Sequence, residues 1–277
     1  MDEEASSPER EIYIHRDNPS VVANHRSRTA AKEAAFFLLH LRPGMRLLDC
    51  GCGPGTITLG LAEAVSAGEA IGVDLEPRRV EEARLLAATR GISNVRFAVG
   101  NLYELPFPDA SFDAAFAHAV LMHLRDPLRV LREMRRVLRP GGVAGISDGD
   151  WSTGLLAPST PLLETMRELE IRVRHYQGGN VYYARNQRRL LLEAGFSRTV
   201  GSVSCGSSGT VEATRRDAAS DVGRFRGSIA PTAISQGWAN PEQIEAMCAE
   251  MLVWGERPDA FSAGIACEAV GWVGETG

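Results

Sequence analysis

The residues best placed to do chemistry stand together near position 50. Leu47-Leu48-Asp49-Cys50-Gly51-Cys52-Gly53-Pro54-Gly55 puts glycines at 51, 53 and 55, after a short apolar run and ahead of a helical pattern. Without a Cβ, such a stretch can turn sharply and let a ligand approach its backbone. A dinucleotide-binding turn reads G-x-G-x-x-G and seats pyrophosphate on a helix N-terminus. Here the spacing is G-x-G-x-G, and Asp49 sets a carboxylate beside the turn. That carboxylate suits a cation better than a pyrophosphate. Asp74 closes the next apolar run. An acid there reaches the two ribose hydroxyls of an adenosine laid over the turn, whichever adenosine cofactor that is. The competing reading is an aspartate that caps the helix opening at Pro77.

Two further groups stand where acceptor chemistry would be expected. Asp148-Gly149-Asp150-Trp151 follows the fifth apolar run, and the carboxyl ends of strands form the ligand crevice of open α/β sheets. Asp150 and Trp151 could hold a polar or cationic acceptor there, or merely cap the next segment. His175-Tyr176-Gln177-Gly178-Gly179-Asn180-Val181-Tyr182-Tyr183 clusters aromatic residues in a glycine-containing stretch. His175, Tyr176 and Tyr182 could form a lid and acceptor wall, or pack against the sheet. The five cysteines, Cys50, Cys52, Cys205, Cys248 and Cys267, include no C-x-x-C pair and no Cys/His set with ligand spacing, so no metal site is expected. There is no P-loop and no G-x-S-x-G elbow.

The elements that must position these residues can be read from the apolar pattern. Residues 19–41 read as a helix, amphipathic over Ala30–Leu41 and stopped by Arg42-Pro43-Gly44. Strands are expected at 45–50, 69–75, 95–99, 112–117 and 143–147, with helices at 56–67, 77–91 and 126–138 between them. Strands alternating with helices imply a parallel sheet with right-handed crossovers. Beyond Trp151 the pattern changes. Helices are expected at 160–176 and 187–194, a strand at 199–205, weakly periodic helix over 211–257, and a last antiparallel strand at 261–273. The expectation is a doubly wound, mostly parallel, seven-stranded α/β sheet with helical lid additions. It divides into a flexible tail (1–18), a cofactor-binding core with an entry helix (19–151), and lid helices with sheet-completing strands (152–277).

Composition narrows the function classes. With 277 residues, 44 % hydrophobic and 23 % charged, the chain can bury a substantial core. Its net charge of −5 offers no electrostatic footprint for nucleic acid. No apolar run approaches the roughly 18 residues of a membrane span. An odd number of cysteines behind a polar, acidic start suits a reducing cytoplasm.

Taken in order, Cys50–Gly55, Asp74, Gly100-Asn101-Leu102, Phe107-Pro108-Asp109-Ala110-Ser111-Phe112-Asp113 and Leu138-Arg139-Pro140-Gly141-Gly142 resemble the motif series of class I S-adenosyl-L-methionine-dependent methyltransferases. The likeness covers about residues 25–151. It is nearest the group containing ubiquinone- and menaquinone-biosynthesis enzymes and many natural-product enzymes. The resemblance implies that Asp49, Gly51 and Gly53 line the methionine part of the cofactor. Asp74 would hold the ribose, with Leu75 beside the adenine and Asn101 and Leu102 at its edge. The family usually has Asp at position 101; Asn can still accept from the adenine amino group. Ala117 and His118 would face the sulfonium end. His25 and Arg28 resemble an entry helix that closes over the cofactor, where Arg28 could pair with the cofactor carboxylate or remain a solvated charge.

Methyl transfer from a sulfonium needs chiefly alignment of nucleophile, methyl carbon and sulfur. A base is needed only for a protonated nucleophile. His118 is the candidate base or substrate contact, and His123 reads as structural. The expected activity is methyl transfer to oxygen, nitrogen or carbon of a small molecule, with secondary metabolism as the expected setting, releasing S-adenosyl-L-homocysteine. The expected partners are that small-molecule acceptor and, compatibly, a second copy in a homodimer, with no nucleic acid and no membrane insertion. An NAD(P)-dependent oxidoreductase would want Gly55 one position later. A non-catalytic member that only binds the adenosyl cofactor would share every motif.

Overall fold

The structure, a computed structural model, describes residues 18–275. Three short helices come first: α1 (Pro19–Ser27), α2 (Ala30–Glu33) and α3 (Ala35–Leu38). Then β1 (Arg46–Cys50), α4 (Thr56–Ala64), β2 (Glu69–Asp74), α5 (Pro77–Arg90), β3 (Val95–Val99), β4 (Phe112–His118), α6 (Pro127–Val137) and β5 (Leu138–Gly149) alternate as the apolar pattern predicts. These five strands run parallel in the order β3-β2-β1-β4-β5. They are nearly unbroken apolar runs because helices cover both faces. Leu47, Leu48, Val73 and Ala114–Ala117 are fully buried. One core packs Val130, Leu131, Met134 and Val137 of α6 against the sheet, and another packs Phe37, Leu61 and Val65 on its opposite face.

The chain continues through β6 (Leu155–Ala157), α7 (Pro161–Tyr176), α8 (Gln187–Glu193), β7 (Arg198–Ser208), α9 (Val211–Arg224), α10 (Ala230–Ser235), α11 (Pro241–Gly255) and β8 (Phe261–Trp272). β8 lies antiparallel between β5 and β7. Its first residues extend past β5 and pair instead with β6. That three-residue strand makes the sheet eight-stranded, where seven strands were expected. Helices α7, α9, α10 and α11 form a cap with its own apolar cluster around Phe225, Ile229, Met247 and Trp254. A single π turn, Phe225–Ile229, joins α9 to α10.

Several expectations need correction. The helix expected over 19–41 is broken after Ser27 and again at Ala34. Each piece packs on a different partner. A Cβ at Gly60 of α4 would lie 2.7 Å from the Cβ of Ala30, and Phe37 stacks on Phe116 at 5.4 Å. The fifth strand starts at Leu138, opposite Phe112, and not at Val143. Residues 139–142 then leave the ladder at a bulge, aided by Gly141 with φ +77°. His123 ends a short 3₁₀ turn, Leu121–His123, and is not in a longer helix. The expected tail falls outside the described residues except for Asn18, which is buried. Among the described residues, no helix is long and apolar enough to cross a membrane, and no three His, Cys, Asp or Glu side chains gather to hold a metal ion.

Candidate active site

The glycine turn is anchored from β2. The amides of Gly51 and Cys52 both donate to the Val73 carbonyl, at 2.7 and 3.1 Å. The Gly53 amide donates to Asp74 Oδ2 at 2.9 Å, and the Glu76 amide donates to Asp74 Oδ1 at 2.9 Å. Asp74 is therefore fixed at the turn by two backbone donors. The helix beginning at Pro77 has Glu76 as its N-cap, with no side-chain cap bond. Burial raises the Asp74 carboxyl above its usual range, opposed by those two amide bonds.

The three glycines do different work. All have positive φ: +79° at 51, +52° at 53 and +80° at 55. A Cβ at Gly51 would stand 2.3 Å from Val120 Cγ2, and one at Gly55 would stand 2.8 Å from Ala83 and 2.9 Å from Phe97. Those two positions are forced by packing. A Cβ at Gly53 would meet nothing within 4 Å, so this stretch of backbone is bare beside the Asp74 carboxylate. Exposed backbone next to an anchored carboxylate is what an adenosyl amino acid requires.

Asp49 lies beneath the turn, accepting from Thr58 Oγ1 of α4 at 2.6 Å. Burial, with a smaller push from Asp74, raises its carboxyl to about 7. At the far end of the crevice Leu75 is half-exposed and Leu102 is buried. Gly100 bonds back to the Asp74 carbonyl at 3.0 Å. Asn101 is exposed, and its Oδ1 accepts from the Tyr103 amide at 3.0 Å. One oxygen lone pair of that side chain is thus already used.

The carboxyl end of β4 supplies Ala117, fully buried, and His118. Ala119 follows with φ +54°, a left-handed alanine at the crevice. Such strain is rare and concentrates at functional sites. His118 Nε2 is 3.6 Å from Glu33 Oε2 of α2, and its Nδ1 is buried without a hydrogen-bond partner. Burial, then the positive charge of Arg28, lowers His118 to about 3. His25 and His123 are lowered to about 3 as well, chiefly by burial and with Arg28 contributing to each. Arg28 also acts on Asp148. The guanidinium therefore lies within electrostatic reach of the ends of both β4 and β5. His25 joins the turn through its carbonyl, which accepts from Thr56 Oγ1 at 3.1 Å.

The residues of the expected acceptor wall fall into two groups: Arg185 links Asp150 to Tyr182, with its guanidinium 5.2 Å from that ring, while Trp151 and Tyr176 meet other partners. Asp150 is buried and held by Arg185 Nε at 2.7 Å and by the Ser152 hydroxyl at 2.6 Å. Against the upward pull of burial, these bonds keep its carboxyl below the usual range. It braces the loop after β5. Trp151 is covered by the Arg174 guanidinium at 3.7 Å, with Arg224 at 5.1 Å. Tyr176 packs edge-on against Trp238 at 5.4 Å, while exposed Tyr182 stands 5.6 Å from His175. Tyr183 is the member of that stretch that turns into the core.

Sequence reasoning missed Glu33, Ala119, Arg174 and Gln187. Gln187 Nε2 donates to Asp148 Oδ2 at 3.1 Å. Glu33 and Gln187 come from elements far from their partners along the chain, and Ala119 and Arg174 stand beside His118 and His175 with no local pattern marking them.

A model of the methyltransferase domain matches residues 41–195. The chain belongs to the methyltransferase family. It is a class I, S-adenosyl-L-methionine-dependent methyltransferase in fold and cofactor. This methyltransferase is 33 % identical over 196 residues to an uncharacterized methyltransferase of Schizosaccharomyces pombe, covering 68 % of this chain and 70 % of that one. It is 33 % identical over 159 residues to the demethylmenaquinone methyltransferase of Geobacillus kaustophilus, covering 57 % and 64 %. It spans about half the length of some other relatives that it matches. Its fold superposes on the YcgJ protein of Bacillus subtilis with a TM-score of 0.61 at 23 % identity, covering 89 % of this chain and all of that one. The likeness to the menaquinone-biosynthesis group, first read from motifs, is thus present in the relatives.

Proposed function

We propose that this methyltransferase moves a methyl group from S-adenosyl-L-methionine to a small organic acceptor seated over the carboxyl ends of β4 and β5. The observation that carries this reading is that α1 and the segment after α7 are both fastened beside the carboxyl edge of the parallel strands. α1 is tied to α4 through His25 and to α5 through the 2.5 Å Arg26–Glu82 ion pair. The cap reaches the loop after β4 through the Asn180 amide, which donates to the Met122 carbonyl at 3.3 Å. Chain packed beside that edge from two sides suits a small molecule better than a nucleic acid or a folded protein.

When bound, the cofactor supplies the methyl group as an electrophilic carbon on a sulfonium. Asp74 is read as holding the ribose and Gly53 as lying against the methionine part. Leu75, Asn101 and Leu102 are read as flanking the adenine, and Arg28 as pairing with the carboxylate. His118, held far below neutrality, is too weak a base to deprotonate an alcohol near pH 7. It is read as a neutral contact. The favoured acceptor therefore needs no proton taken by His118, as with an amine or an acidic phenol or enol. The demethylmenaquinone methyltransferase relative is named for an acceptor of small-molecule class, which supports this reading. The free cysteines suit a reducing cytoplasm, the proposed location.

The test is release of S-adenosyl-L-homocysteine from labelled cofactor with a panel of small amines, phenols, enolised diketones, aliphatic alcohols, RNA and histone. Turnover confined to small amines, phenols or enols is expected. Turnover confined to RNA or histone would overturn the acceptor class. Tight cofactor binding with no turnover on any member of the panel would favour a non-catalytic role.

A further inference from the structure

α1 bridges the core and the cap, meeting α4 and α5 on one side and α9 on the other. Its nine residues cover about 13 Å at about 1.5 Å each, and both ends are fastened. The core end is held by Thr56 and Glu82, as above. The other end enters the cap. Asn18, only 7 % exposed, donates through Nδ2 to the Gly223 carbonyl at 3.1 Å and to Ser228 Oγ at 3.1 Å, with the Arg224 carbonyl at 3.5 Å. These acceptors surround the π turn Phe225–Ile229. Such a one-turn departure from α-helix is uncommon and often accompanies function. Here the end of α9 supplies two backbone oxygens, and the turn supplies the Ser228 hydroxyl, to a side chain more than 200 positions earlier in the chain. Gly227 completes the fit, since a Cβ there would lie 2.7 Å from Asn18 Nδ2.

We propose that Asn18 is a positioning residue for the cofactor: by fastening the start of α1 into the π turn of the cap, it fixes where Arg28 stands over the crevice. Arg28 follows one residue after the end of α1, and its amide bonds back to the His25 carbonyl at 3.4 Å. A tilt of α1 at its cap end is therefore passed to Arg28. The inference rests on reading Arg28 as the partner of the cofactor carboxylate.

The test uses two ligands that differ only at the amino-acid tail. S-adenosyl-L-homocysteine has the carboxylate; 5′-methylthioadenosine keeps the adenosine and sulfur and lacks it. Calorimetric binding of each is compared in the wild type, Asn18→Ala, Arg28→Ala and the double variant. Gly227→Ala, which fills the seat of Asn18 from the cap side, is the second probe. Asn18→Ala and Gly227→Ala should each weaken S-adenosyl-L-homocysteine roughly tenfold, the scale of losing one pre-organised ion pair. Methylthioadenosine should change less than about twofold, since it makes no contact with Arg28. The double variant should be no worse than Arg28→Ala alone. If Arg28→Ala weakens S-adenosyl-L-homocysteine while Asn18→Ala and Gly227→Ala do not, the positioning role is wrong and the carboxylate reading survives. If Arg28→Ala changes nothing, the carboxylate reading falls and takes the positioning role with it. Equal losses for both ligands would show a general structural role and overturn the proposal.

Discussion

Asp74 Oδ2 accepts the Gly53 amide at 2.9 Å, so the carboxylate ending β2 and the bare backbone following β1 form one rigid unit. With its other oxygen on the Glu76 amide, that carboxylate is oriented before any ligand arrives. Pre-organisation of this kind lowers the ordering cost of binding.

The division of labour among the glycines predicts two different lesions. Gly51→Ala forces a left-handed alanine and a 2.3 Å approach to Val120. Backbone and packing costs together should remove about 2–4 kcal/mol of stability. Gly53→Ala has the backbone cost alone, about 1–2 kcal/mol, yet should lose more cofactor affinity than its stability loss suggests. Urea unfolding beside calorimetric titration separates the two; equal stability losses would contradict the assignment.

The buried Asp49 carboxyl predicts a pH-dependent cofactor affinity. Raised to about 7, it is partly protonated at neutral pH. A cationic ammonium placed nearby would favour the carboxylate, so binding would release a proton below pH 7. Affinity should therefore fall as pH drops below 7, by at most about tenfold per unit. Asp49→Asn should flatten that slope. An identical slope in the variant would place the cofactor's cation elsewhere.

The buried histidines predict acid sensitivity. His25, His118 and His123 are lowered from 6.5 to about 3. Between those values the folded state binds fewer protons than the unfolded state. Their contribution is complete above pH 6.5 and declines as pH falls toward 3. Asp49 and Asp148, both raised to about 7, act in the opposite sense over part of that range. The difference between wild type and variant is thus the useful quantity. His123→Gln should reduce the slope of unfolding free energy below pH 6.5 by up to about 1.4 kcal/mol per pH unit. An unchanged slope would mean that His123 protonates freely in the folded protein.

The parallel half of the sheet was legible because strands buried on both faces must be apolar runs, and Leu47–Cys50 and Ala114–Ala117 are such runs. The candidate site's geometry was legible for a related reason: Gly51, Gly53 and Asp74 sit at strand ends, where local sequence dictates local geometry. The acceptor side was not. Asp150 carries the same charge whether it meets a ligand or Arg185, and only the fold shows the bidentate pair. Nothing near Asn18 announces a partner in a π turn, and no proline or glycine inside 20–41 marks the breaks at 28–29 and at Ala34. The bulge at 139–142 hides because a Pro-Gly-Gly stretch reads equally as a helix stop or a gap in a strand ladder.

The most direct measurement is calorimetric titration of S-adenosyl-L-homocysteine into the wild-type protein and into Asp74→Ala. Two charge-assisted hydrogen bonds to the ribose are worth at least about 3 kcal/mol together, which is roughly a hundredfold in affinity. Saturable one-to-one binding by the wild type, weakened about a hundredfold by the substitution in protein that still unfolds cooperatively, is the predicted result. No binding by the wild type, or equal affinity in the two proteins, would contradict the site described here.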